Sequence, residues 1–551
     1  MRRLIVAAMI AAVPAVPLSA QEALHFQQCD GYPAPTRRGD GIVTGTFMFG
    51  LGKTREDFRR TPPKLLATNG LAACDRALAD PALKPEFVVR RAQLMQARAY
   101  HQIGALAYDD ALATLAAVDA QADGLGGVLY DRGTSTGNRL LRAWIFIETA
   151  RPDEALAELS AIEASRPYSA SLRYATLRMR LRLDPAVDKH LALLRAMAPT
   201  VPTASIEGLT VALQVGRFDD ALAFGSGLTL DLPRARGGWT VDGQQGIEYR
   251  LIEARATIAG SLAYTMLATG RAEAATAHIE QARPELVAVR EPPPPPEQGR
   301  RQNRRVLADY NTRLAHADLA EAELVHWEKL IALRQEMDQL GFDDVMRRLE
   351  GVPPGSVPVL ADLLAHAGKE AEGDRAEVVS GLLAQIHQER VRLHELDLFS
   401  LMEMLPRPET VENQIRFKKS GDGYFLSANG YSRRKMDGED DWTVRFVDGV
   451  ASAATVEEFG MLAAATEASR RGYDGMLLQS RRTLELTTNV MGYYGGQVDT
   501  LNSGRESQLR VRLVKLDDLP PDLAGSEWRV LDVARVLADL SNLPQRPSRA
   551  R

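Results

Sequence analysis

His387 and His394 lie seven positions apart on one predicted helix, close enough in angle to share a face. Paired imidazoles can hold a transition metal, but they need a third ligand. The flanking sequence supplies none at usable spacing, and no H-E-x-x-H occurs. The two are therefore read as exposed helix histidines, and no metal is assigned. The stretch Gly45 to Thr54 ends in Gly52-Lys53-Thr54, like a phosphate-binding loop, yet the glycine required five positions before Gly52 is replaced by Phe47. No clean hydrophobic strand leads into it, so it is read as a flexible glycine-containing segment docking on the first helices. The acidic run Asp437, Glu439, Asp440 and Asp441 lacks the ligand alternation and distal Glu of a calcium loop, and is read as a solvated hairpin turn. No G-x-S-x-G is present, so no catalytic residue and no cofactor are assigned. The most ligand-like segment is Asn489 to Gly504, where Tyr493 and Tyr494 precede Gly495 and Gly496; these two tyrosines are the candidate binding residues.

The compartment decides how the cysteines behave. Arg2 and Arg3 precede an apolar run, Leu4 to Val16, and Pro17-Leu18-Ser19-Ala20 offers small residues before Gln21. This is the pattern of a secretory signal peptide, with cleavage expected after Ala20 and the periplasm as destination. The run is too short for a membrane span, and no later segment is long and apolar enough to be one, so no integral membrane segment is expected in the mature chain. In an oxidising compartment Cys29 and Cys74, 45 positions apart, are expected to pair, tethering a Gly/Pro-rich segment with little core of its own.

The chain of 551 residues is long enough for several cores, with 45% hydrophobic and 25% charged residues. Its net charge of -5 excludes a dedicated nucleic-acid binder, which would carry a basic excess. Aromatics make up only 6%, while Ala and Leu recur at helical spacing, which excludes a β-sandwich or propeller as the main body.

One turn recurs through the first half. Ala150-Arg151-Pro152-Asp153-Glu154-Ala155-Leu156 joins a helix start to a small residue, with Ala143 and Phe146 before it and Pro167 after it. Similar segments are Tyr108-Asp109-Asp110-Ala111-Leu112, following Ala97 and Tyr100; Gly216-Arg217-Phe218-Asp219-Asp220-Ala221-Leu222; and Gly270-Arg271-Ala272-Glu273-Ala274-Ala275. Small residues let two helices approach closely, an aromatic fills the gap beside them, and proline ends the second helix. The pattern resembles the tetratricopeptide repeat, although the spacing is less regular than that family's ~34 residues. The resemblance implies an irregular α-solenoid of helix pairs over residues 65–290, whose inner face would be lined by segments such as Leu140–Thr149 and Ala254–Thr269.

Pro292 to Pro296 and the basic residues after them read as a linker, 291–305. Arg300 to Leu340 contains no Gly or Pro and implies one long helix or a tight hairpin within a further helical region, 306–407. From 408 to 551 the pattern changes to a small α/β domain. Tyr424–Ser427, Trp442–Val447, Asp474–Gln479 and Gln508–Leu516 read as strands, Thr455–Arg471 and Trp528–Leu540 as helices. Here Gly430-Tyr431-Ser432, Val444-Arg445-Phe446, Ala463-Ala464-Ala465-Thr466-Glu467-Ala468, Gly472-Tyr473-Asp474 and Asp532-Val533-Ala534-Arg535-Val536-Leu537 resemble a family of small alphaproteobacterial envelope lipoproteins of unassigned activity. The chain lacks that family's lipid-modified cysteine, and the family supplies no catalytic residues to carry over.

The whole is expected to be mainly α: signal peptide 1–20, a Gly/Pro-rich segment 21–64, repeats, linker, further helices and a separable α/β domain. The function expected is that of an exported, non-enzymatic interaction or scaffold protein of the bacterial envelope, binding a periplasmic protein or peptide in the repeat groove. The alternative is an envelope enzyme or small-ligand-binding protein with its site in the α/β domain.

Overall fold

In the computed structural model, four helix reversals share one backbone design. Leu106, Ala150, Gly216 and Gly270 each adopt positive φ, at 61°, 55°, 71° and 79°. The next residue donates its N–H five positions back, Ala107 to Gln102, Arg151 to Phe146, Arg217 to Ala212 and Arg271 to Met266, at 2.9, 2.7, 2.8 and 2.8 Å. These 6→1 bonds satisfy carbonyls left over at the helix end. The carbonyl of that same residue opens the following helix by accepting from Ala111, Ala155, Ala221 and Ala275, at 3.0, 3.2, 2.9 and 3.0 Å. All four alanines are buried, so their small side chains sit where consecutive helices meet.

The structure describes residues 24–36, 39–42, 45–47, 52–54, 67–125, 127–228, 230, 232, 245–293, 295, 304–350, 358–406, 408–409, 414–415, 417–419, 429–436, 440–449, 451–491 and 497–544. The expected signal peptide, much of the 291–305 linker, the Tyr424–Ser427 strand, Asp437 and Glu439, and both Tyr493 and Tyr494 lie outside them.

Within the described residues the chain is mainly helical, with a small antiparallel sheet near its C-terminal end. The first helices are α1 (Leu24–Asp30), α2 (Ala67–Ala79), α3 (Val88–Gly104), α4 (Tyr108–Asp119), α5 (Thr136–Glu148) and α6 (Pro152–Ser165). There follow α7 (Ala170–Leu183), α8 (Val187–Met197), α9 (Thr203–Gln214), α10 (Phe218–Gly225), α11 (Gln245–Ala268), α12 (Ala272–Val289) and α13 (Arg304–Glu336). Each packs against its successor. Cys29 on α1 and Cys74 on α2 stand at disulfide distance, Sγ–Sγ 2.12 Å. The segment resembling a phosphate loop is a short hairpin, β1 (Gly45–Phe47) with β2 (Gly52–Thr54), which places Lys53 opposite Thr46 on a strand and not at a helix N-terminus.

The 33 residues of α13 form a single helix, about 50 Å long at 1.5 Å per residue, and it lies along α11. Gly260 makes this possible: a Cβ there would fall 2.0 Å from Cγ of the fully buried Trp327. Beyond it come α14 (Phe342–Leu349), α15 (Leu360–Ala367), α16 (Asp374–Leu393) and α17 (Leu398–Met404). Leu401 and Met402 of α17, with Leu396 and Leu405, join Tyr100, Ile103, Leu140, Leu141 and Trp144 in one apolar cluster. The faces of α5 and α11 expected to line an open groove are thus covered by the chain's own later helices, because their residues are too apolar to be left to water.

The sheet comprises β3 (Gly430–Lys435), β4 (Asp441–Asp448), β5 (Gly475–Met491), β6 (Gln497–Val514) and β7 (Leu531–Asp532), in the order β3-β4-β6-β5-β7. Alternate residues Val444, Phe446, Leu509, Val511, Leu513, Met476 and Leu478 face helix α18 (Ala453–Arg470). Ser452, three residues before Thr455, is its cap, accepting from the Thr455 N–H, and Gly472 takes φ 79° just beyond its end. β5 and β6 outrun the sheet as a two-stranded ribbon, so Asn489–Met491 and Gln497–Gly504 are paired strand and not loop. The last helix, α19 (Val533–Leu540), is shorter than expected. Leu531 and Asp532 pair with β5 instead, and the Asp532 side chain caps the helix by accepting from the Arg535 N–H.

Candidate functional site

Charged side chains concentrate where the helices meet the sheet. Arg166 follows α6 directly, and Glu458 sits in the second turn of α18. Arg166 Nε and Nη2 donate to the two carboxylate oxygens of Glu458 at 2.8 and 2.7 Å, and Nη1 donates to the carbonyl of Arg132 at 2.5 Å. Arg132, in a π-helical turn before α5, also pairs with Glu458 and stands 3.6 Å from Glu409. Burial opposes charge on Glu458, but Arg166 and Arg132 more than offset it and hold its carboxyl below the usual range. Burial likewise opposes charge on Arg166, and Glu458 and Glu409 outweigh it and raise its pKa.

Glu457, next in line, is equally buried. Its Oε2 accepts from Ser169 Oγ and Ser171 Oγ at 2.9 and 3.1 Å, and its Oε1 accepts from Thr483 Oγ1 at 2.9 Å. Arg481 on β5 donates to the carbonyls of Thr200 and Tyr168 at 2.8 and 2.6 Å. Arg529, pushed down to about 10 by burial, donates to the Ser226 carbonyl at 3.0 Å. A general acid or base works best with a pKa near the ambient pH. The Arg166–Glu458 pair is driven the opposite way, each partner held more firmly charged. These groups fasten one part of the fold to the other, and the acidic start of α18 is part of the fastening.

A different chemistry is assembled by three helices. His190 on α8 puts Nε2 3.2 Å from Glu207 Oε1 on α9, and His394, just past α16, puts its Nε2 3.3 Å from the same oxygen. The imidazole rings of His190 and His394 meet edge to face, 4.7 Å between centroids. His190 is fully buried, while Glu207 and His394 are partly exposed. Among the described residues this is the one group of His, Cys, Asp and Glu placed to hold a metal ion. Arg390, buried on α16, stands behind it: Nη1 donates to His190 Nδ1 at 3.1 Å, and Nη2 donates to the Pro185 carbonyl at 2.9 Å and to His387 Nδ1 at 3.0 Å. Burial lowers the pKa of His394.

His387 is exposed, in line with the sequence reading, whereas His394 turns inward at the end of α16 toward His190. The ligands missing from the sequence pattern are Glu207 and His190, which lie nearly and just over two hundred positions before His394. No local spacing could reveal it. No protein-family model, curated protein or solved structure matches the chain.

Proposed function

We propose that the chain is an exported, non-enzymatic interaction protein of the bacterial envelope that holds a helical segment of a protein or peptide partner on its repeated helix pairs. The observation that carries this reading is α17. The face made by Tyr100, Ile103, Leu141 and Trp144 accepts a short apolar helix, with Leu401 and Met402 as its buried anchors. With α17 seated on this surface, the same kind of contact is open to a partner's amphipathic helix at its edge. Leu106 and Phe399, adjoining this contact in sequence, remain exposed and offer apolar area at its edge. The repeated turns support the tetratricopeptide-like reading, since each sets consecutive helices at the same reversal. Export is supported by the cysteine pair, since disulfides form and persist in oxidising compartments.

Photo-crosslinking in the full exported chain tests this. Cross-linkable residues at Leu106 and Phe399 should trap one common partner, and the same group at Leu516 in the sheet region should not. Adducts confined to Leu516 would transfer the binding role to the α/β part and overturn the proposal.

A further inference from the structure

We propose that His190, Glu207 and His394 form a divalent transition-metal site of the zinc class, and that Arg390 restrains it. Zinc binds His nitrogen and carboxylate oxygen at about 2.0–2.2 Å, so tetrahedral ligands stand about 3.3–3.5 Å apart. The two imidazole nitrogens lie 3.2 and 3.3 Å from Glu207 Oε1, close to that edge length before any adjustment. Two imidazoles and one carboxylate suit zinc, nickel, copper or iron, not calcium or magnesium, which require oxygen ligands. Partial exposure of Glu207 and His394 gives an ion a way in without unfolding. Three protein ligands leave the fourth position for water or a ligand from a partner.

Arg390 sets the terms of occupancy. A guanidinium only donates, so its contact with His190 Nδ1 requires a lone pair there. In that state the neutral ring carries its proton on Nε2 and gives it to Glu207. A metal needs the Nε2 lone pair; the proton must then move to Nδ1, where it meets the Arg390 N–H. Metal-bound histidines ordinarily direct that second N–H at a carboxylate or carbonyl. Metal binding and the Arg390–His190 contact therefore exclude one another. Arg178 adds further positive charge near His394. Loading the metal breaks the Arg390–His190 contact, leaves Arg390 on Pro185 and His387, and ties the end of α16 to α8 through the ion instead.

Calorimetric titration of the full mature chain with Zn²⁺, with Co²⁺ absorption as a second readout, tests the site. Wild type should bind one ion, with the visible bands of a tetrahedral Co²⁺ complex. Arg390→Gln, whose Oε1 can accept from Nδ1–H, should bind about tenfold more tightly or better, and Glu207→Gln and His394→Ala should each weaken binding by at least that factor. Arg390→Met, which removes the donor without adding an acceptor, should also tighten it and serves if Arg390→Gln fails to fold. Thermal melts in chelator confirm that each variant is folded. No binding by wild type or either Arg390 variant, or binding indifferent to Glu207 and His394, overturns the site. Unchanged affinity in both Arg390 variants overturns the restraint.

Discussion

Arg166 and Glu458, nearly three hundred residues apart, form a two-pronged ion pair whose side chains are 0% and 1% exposed. One belongs to the helices, the other to the helix that covers the sheet, so the pair lies across what composition marks as a domain boundary. Its neighbours are mixed in the same way. Tyr168 from the helical region sits in the apolar core of the sheet, and Ala454 from α18 sits in the core of the first helices.

Removing one partner of this pair should be costly, because the other is left charged in a dry setting. Arg166→Met should lower unfolding free energy by about 3–5 kcal/mol in urea titration. The double variant Arg166→Met with Glu458→Gln should lose clearly less than the two single losses combined. A loss below about 1 kcal/mol for Arg166→Met would place the pair in the class of solvated ion pairs.

Acid should loosen the same seam. A carboxylate whose folded pKa lies below its unfolded value contributes its full stabilisation above the unfolded value, about 4.3, and loses it as pH falls through the folded value. Glu458 is held low in this way. Stability should therefore fall steeply below about pH 4.3, and Glu458→Gln should flatten that fall while starting from a lower plateau. Urea midpoints measured between neutral and acid pH decide it; an unchanged slope would mean that Glu458 does not contribute.

The four turns make a prediction free of packing effects. Leu106 and Ala150 occupy the left-handed region that costs an L-residue about 1–2 kcal/mol, and Leu106 is 72% exposed, so little is lost with its side chain. Leu106→Gly and Ala150→Gly should each stabilise by about 0.5–1 kcal/mol, the relief less the added entropy of the unfolded chain. Gly216→Ala and Gly270→Ala should destabilise by about 1 kcal/mol, since a Cβ at either meets nothing within 4 Å and only the backbone pays. Opposite signs in the two pairs are the measurement; uniform signs would refute the shared geometry.

These turns are legible in the sequence because a helix reversal is local: an acidic helix start and a small residue recur within seven positions, with glycine marking the positive-φ residue in two of the four. The end of α18 was equally readable from Gly472. Other features depended on partners far along the chain. Glu457 and Glu458 look like ordinary acids at a helix start, and nothing nearby announces that Arg166 and Ser169 will bury them. His394 looked solvent-facing because its neighbours His190 and Glu207 arrive from other helices. The apolar stripe of α5 marks it as core or groove alike; only the placement of α17 distinguishes the two. The short α19 shows the limit of pattern within an element, since Leu531 could continue a helix but finds a strand partner in Met476.

The mixed cores bear on whether the sheet region stands alone. Composition suggests a cut near Pro408, with residues 408–551 folding independently. In the structure that fragment would lose Arg166 and Arg132 from Glu458, Ser169 and Ser171 from Glu457, and the Thr200 and Tyr168 carbonyls from Arg481. It would also lose Tyr168, whose hydroxyl donates to Asp539 at 2.8 Å and whose ring fills the core beneath α18. The apolar surface that Tyr168 covers would face water, and the fragment's core would be left incompletely packed. Residues 408–551 expressed alone should therefore bind ANS and show weak near-ultraviolet dichroism. Added or co-expressed residues 21–407 should restore the signal by forming a stable complex. A sharp melt of the isolated fragment close to that of the full chain would show that the sheet carries its own stability and that the seam only aligns it.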